Sequence, residues 1–142
     1  MKLILSFLIS FGLLSSMSAK ANEAVIEAMG EYLMFQEYES GIILPQQIDQ
    51  SVFEAVTWIG TRDSEQFDKQ TIPGAIHIEW RQVIERMDEI PTDRKVIVFC
   101  HTGSLSAQAA FALRVVGSDN VIVVQSGFLG LLVNAAYRPS EQ

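Results

Sequence analysis

The sequence predicts an α/β domain: a central, mostly parallel sheet flanked by helices. Three observations carry this. The runs Val56-Thr57-Trp58-Ile59, Val96-Ile97-Val98-Phe99 and Val121-Ile122-Val123-Val124 are β-branched and apolar at successive rather than alternate positions, as in strands buried on both faces. Helix-favouring segments separate them, the alternation that builds a parallel sheet through crossover helices. No internal repeat or low-complexity linker interrupts the chain, and roughly 120 residues beyond a leader suffice for one domain with a real core.

In chain order, the first segment reads as a signal peptide over residues 1–21. Lys2 supplies the positive start, Leu3 to Leu14 the apolar stretch, and Ala19-Lys20-Ala21 a small-x-small cleavage site before Asn22. The apolar stretch is shorter than the about 20 residues a membrane span needs. The reading is therefore cleavage after Ala21, a periplasmic or secreted product, and no stable membrane insertion. Residues 22–40 form an N-terminal helical extension, with Val25, Ile26, Met29, Tyr32 and Leu33 at mostly three- and four-residue spacing among interleaved acids.

The domain proper is expected over 41–138. Gly41 to Leu44 reads as a short strand, and Pro45 as the first turn of a small helix running to about Asp49. The strand 56–59 leads into Gly60-Thr61-Arg62. Asp63 caps a short helix with Gln66 three residues on. Ile72-Pro73-Gly74-Ala75 is a turn before a brief strand 76–78. Residues 79–89 carry Val83, Ile84 and Met87 at helical spacing, closed by Pro91. After the strand 96–99 come a helix over 106–116 stopped by Gly117, the strand 121–124, and a last helix over 128–136.

The formal net charge is −7, and all 17 acids lie beyond residue 21. So acidic a body argues against a nucleic-acid partner, since phosphate contacts need clustered Lys and Arg. There is one cysteine and there are two histidines, too few for a closed zinc site, so no metal is expected.

That cysteine, Cys100, ends the strand 96–99 and opens the loop Cys100-His101-Thr102-Gly103-Ser104-Leu105-Ser106. A strand, a tight loop of small residues and a helix place backbone N–H groups and a positive helix end around the sulfur. An adjacent helix N-terminus favours the thiolate, the attacking form. Exported domains tend to use cysteines in pairs, so a single one points to a reactive role, an intermolecular bond or plain burial. Arg62, like Cys100, follows the carboxyl end of a strand, the sheet edge where ligands bind.

Four pieces in order, Trp58 to Arg62 with Glu65 and Phe67, Ile72 to Ile76, Val96 to Ser106, and Ser126-Gly127-Phe128, resemble a rhodanese domain over roughly residues 43–135. The resemblance implies a sulfurtransferase without metal or organic cofactor. Cys100 would take a sulfane sulfur from a small donor such as thiosulfate or a persulfide, and pass it to a thiol or cyanide acceptor. The loop His101, Thr102, Gly103, Ser104, Leu105 and Ser106 would bind substrate, the N–H groups of 101–105 steadying thiolate and persulfide, with Arg62 in support, as a structural ion-pair partner rather than a substrate ligand. The chain departs from the family where His101 and Leu105 stand in the places of two loop arginines. Histidine restores charge only toward acid pH, and leucine not at all. Thiosulfate activity is therefore expected to be weak. Gly60 stands where the family carries aspartate, and Thr71 where it often has histidine. The alternative is a catalytically weak rhodanese-like module that binds a protein partner or senses redox state. A phosphatase of the cysteine-loop kind would need arginine where Ser106 stands.

Overall fold

The structure is a computed structural model describing residues 20 and 22–139. The chain divides into two compact units after Gln36. The first contains a helix, α1, over 22–34. Of the leader assigned to 1–21, only Lys20 falls among the described residues. Among these, no helix is long and apolar enough to cross a membrane.

The second unit holds a five-stranded, wholly parallel sheet. Its strands are β1 (Ile42–Ile43), β2 (Thr57–Gly60), β3 (Ile76–His77), β4 (Val96–Phe99) and β5 (Val121–Val124), in the spatial order β1-β5-β4-β2-β3. The helices are α2 (Gln50–Ala55), α3 (Ser64–Lys69), α4 (Ser104–Val115) and α5 (Gly127–Asn134). Central strands are apolar at every position because both faces are covered. Ile59, Val96 and Val98 meet Ala109, Ala110 and Leu113 of α4 on one face. Trp58, Ile97 and Phe99 meet Phe128 and Leu131 of α5 on the other.

Two segments differ from expectation. Asp49 does not close a helix that begins at Pro45; its carboxylate caps α2 by accepting the Val52 N–H at 2.9 Å, while Pro45–Gln47 is a separate 3-10 turn. An aspartate with β-region dihedrals starts helices more readily than it ends them. Residues 79–89 form no α-helix but two 3-10 turns, Trp80–Gln82 and Met87–Glu89. The buried residues there are Ile78, Val83 and Ile90, whose spacing fits no single helix face, while Ile84 and Met87 are exposed. Anchoring at those three points lays the segment along the sheet.

The ends of β2 and β4 are tied together. The Thr61 N–H and hydroxyl both donate to the Phe99 carbonyl, at 2.8 and 3.1 Å. The Trp80 N–H donates to the Thr61 carbonyl at 3.1 Å. Arg62, Cys100 and the Trp80–Gln82 turn are thus brought to one edge of the sheet.

Candidate active site

Cys100 leaves β4 with its side chain only 2% exposed. The chain then turns through Gly103, at φ +101, a conformation glycine adopts without the steric cost of a Cβ, and enters α4. The Gly103 N–H donates to Cys100 Sγ at 3.2 Å, and the Ser106 hydroxyl lies 3.5 Å from the same sulfur. That hydroxyl also lies 3.0 Å from the Gly103 carbonyl, so its single proton serves one acceptor at a time. Burial pushes the Cys100 thiol up, but the Ser106 hydroxyl and the N–H groups of Ser106, Gly103 and Leu105 outweigh it and hold the thiol below its ordinary value. Hydrogen bonds to the charged form are the cause, as the helix entry predicts. The expected cradle of residues 101–105 is concentrated on Gly103, Leu105 and Ser106.

A lowered pKa means that the thiolate persists to lower pH than in an unfolded cysteine. Replacing Ser106 by alanine removes one of its donors. The alkylation–pH profile of Cys100 with iodoacetamide is expected to move to higher pH, with the rate at neutral pH reduced about tenfold. An unmoved profile would show that the hydroxyl stays with the Gly103 carbonyl.

The start of α5 holds the loop from below. The N–H groups of Phe128 and Leu129 donate to the carbonyls of Cys100 and His101 at 2.8 and 3.1 Å. The approach is so close that a Cβ on Gly127 would stand 2.7 Å from both the Cys100 oxygen and the Gly103 nitrogen. The sequence shows Ser126-Gly127 as a turn and as part of the family resemblance, but nothing local marks a backbone contact with a loop more than twenty residues away.

Cys100 opens onto a cleft of about 310 Å³ lined by His101, Thr102 and Leu105 of the loop, by Arg62, Asp63 and Gln66, and by Glu79, Trp80 and Arg81. His101 and Thr102 are exposed, as is Ser104, while Ser106 is buried. Leu105 is 37% exposed at the cleft wall. Arg81 was not legible as a site residue. The segment that carries it reads as an amphipathic helix, although its place just beyond β3 puts it at the ligand-binding edge. Glu79 fixes it, accepting from the Arg81 backbone N–H at 3.0 Å and from Nε at 3.0 Å.

Arg62 is 5% exposed and makes no salt bridge among the described residues, which corrects the expected ion pair. Its Nη2 donates to the Gln70 carbonyl, its guanidinium lies 4.6 Å from the Phe128 ring centre, and its Nε has no hydrogen-bond partner. Burial lowers its pKa, opposed by Asp63 and by Cys100. Arginine nonetheless remains a cation, and it sits beside the thiolate. A side chain at position 60 would need the Phe67 ring to shift, because a Cβ on Gly60 would stand 2.5 Å from it. Phe67 in turn stacks on His77 with centres 4.5 Å apart, and His77 Nε2 pairs with the Arg62 carbonyl at 2.8 Å. His77 is thus a packed histidine. Among the described residues no cluster could hold a metal ion.

A buried cysteine cradled by backbone N–H groups at the end of a parallel strand defines a cysteine-loop α/β protein. The sequence model of the rhodanese-like domain matches residues 44–132, and the chain belongs to that family. It is 30% identical over 82 residues to a putative sulfur carrier protein, YrkF, of Bacillus subtilis, covering 58% of this chain and 43% of that one. It is 36% identical over 72 residues to the thiosulfate sulfurtransferase PspE of Escherichia coli, covering 49% of this chain and 69% of that one. A sulfurtransferase of Allochromatium vinosum is 30% identical over 76 residues, covering 54% of this chain and 71% of that protein. Among solved structures, a rhodanese-related protein of Thermoplasma volcanium superposes with a TM-score of 0.61 at 24% identity, covering 71% of this chain and 96% of that one, a likeness of fold. Two of these relatives carry the name sulfurtransferase, and the chain spans less than half the length of the sulfur carrier protein.

Proposed function

We propose that the protein carries sulfane sulfur as a persulfide on Cys100, accepting it from a small donor and passing it to a thiol or cyanide. The observation that carries this is the sulfur held at the cleft wall by Gly103, Leu105 and Ser106, with Arg62 beside it. The Cys100 thiolate attacks the outer sulfur of thiosulfate. A new S–S bond forms as the donor S–S bond breaks, and sulfite leaves with the bonding electrons. In the second half, an acceptor thiolate or cyanide attacks the outer sulfur of the Cys100 persulfide, which returns the Cys100 thiolate. The N–H groups that hold the thiolate also hold the persulfide anion, so charge is stabilised on both sides of the transfer.

Donor recognition falls to groups outside the loop arginine positions. Arg81 reaches the cleft from the turn after β3, partly neutralised by Glu79, which keeps its pull on a dianion modest. Transfer from thiosulfate to cyanide is expected to be present in the wild type and absent in Cys100→Ala. In Arg81→Gln the KM for thiosulfate is expected to rise roughly fivefold, while alkylation by neutral iodoacetamide stays unchanged. Activity surviving in Cys100→Ala would overturn the reading. An unaltered KM in Arg81→Gln would remove that arginine from donor recognition.

A further inference from the structure

On the face of the sheet covered by α5 lies a second cavity of about 310 Å³, which shares no lining residue with the Cys100 cleft. Phe53, Trp58 and Tyr137 supply an aromatic wall, with ring centres 5.3 Å apart for Phe53 and Trp58 and 5.4 Å for Phe53 and Tyr137. Ile72 and Leu131 continue the apolar lining. The residues after α5 close one side, anchored by the Tyr137 N–H donating to the Ile48 carbonyl at 3.0 Å.

Two features separate this cavity from a packing defect. Its lining holds one charged side chain, Arg138, and no acid, in a protein of net charge −7. Arg138 spends one Nη2 contact, 3.1 Å, on the Val133 carbonyl and remains exposed. The wall also includes Thr71, whose buried hydroxyl has no hydrogen-bond partner. Apolar pockets of this size with a few convergent polar groups are the usual form of small-molecule sites.

We propose that this cavity binds a small amphipathic carboxylate with an aromatic body. The ring lies against Phe53 and Trp58, and the carboxylate pairs with Arg138 at the rim. A lone positive charge on an otherwise uncharged lining selects an anion over a neutral or cationic ligand of the same shape. The aromatic wall, with Phe53 tilted 37° to Trp58 and edge-on to Tyr137, offers ring faces and edges that favour a ring over a flexible chain. The site is separate from the proposed sulfur transfer, and its test does not depend on that activity.

The test is a titration of the full chain with phenylbutyrate and with phenylbutanamide, its neutral counterpart, followed by backbone amide NMR shifts. Saturable shifts are expected at Thr71, Leu131, Ala135 and Tyr137, with phenylbutyrate half-saturating at about a millimolar, as suits a ligand of that size. Arg138→Gln, at an exposed position, is expected to weaken phenylbutyrate about tenfold and leave phenylbutanamide unchanged. Ala135→Trp, which fills the cavity, is expected to abolish both. No saturable shift, shifts clustered elsewhere, or equal affinity of wild type and Arg138→Gln for phenylbutyrate would overturn the proposal.

Discussion

Gly127→Ala is expected to destabilise the domain by roughly 3 kcal/mol, lowering Tm by about 15 °C, and to release the Cys100 loop. Two costs combine. The backbone at Gly127 has φ +56, where an alanine Cβ is strained. Its Cβ would also stand 2.7 Å from the Cys100 oxygen and the Gly103 nitrogen and 2.8 Å from the His101 carbonyl carbon. These are backbone atoms of the loop itself, so the overlap is relieved only by moving the loop or α5. Gly74→Ala is the control, because Gly74 has φ +77 and nothing within 4 Å of a Cβ. It is expected to cost only the conformational strain, about 1 kcal/mol. Thermal melts of both variants, with Cys100 alkylation rates, separate strain from collision. Equal losses would show that the close approach under the loop carries no energy.

Leu105→Arg is the second large effect, and it is a gain. Leu105 stands at the cleft wall where the family resemblance places an arginine, and its partial exposure leaves room for a longer side chain. A guanidinium there offers an anionic donor a charge-assisted bond, worth about 1.5–3 kcal/mol, and further favours the thiolate. The expected result is a rise of about tenfold or more in kcat/KM for thiosulfate, with the fold stability unchanged. The reverse outcome, no gain, would show that an arginine at position 105 does not reach the bound donor.

Most of the fold was legible because buried parallel strands write themselves as unbroken apolar runs. The three central strands fall within a residue of their expected places. Cys100 was legible for the same reason, as a lone thiol at the end of such a run, followed by residues small enough for a tight loop. The segment 79–89 misled because Val83, Ile84 and Met87 mimic a helix face, whereas the buried anchors are Ile78, Val83 and Ile90. That error hid Arg81 and Glu79 from the site. Gly127 was visible as a turn residue within a family-like piece, and Arg62 as a residue at the ligand-binding edge and an ion-pair candidate. Their actual roles, a close approach beneath the loop and a cation stacked on Phe128, depend on contacts across the fold that no local pattern encodes.

The central claim is that Cys100 carries sulfur, and intact mass of the purified protein tests it most directly. After brief exposure to thiosulfate or to a low-molecular-weight persulfide, wild type is expected to gain one sulfur atom. The gain should be reversed by cyanide and absent in Cys100→Ala. A wild-type thiol that still alkylates but gains no sulfur from either donor would contradict the account.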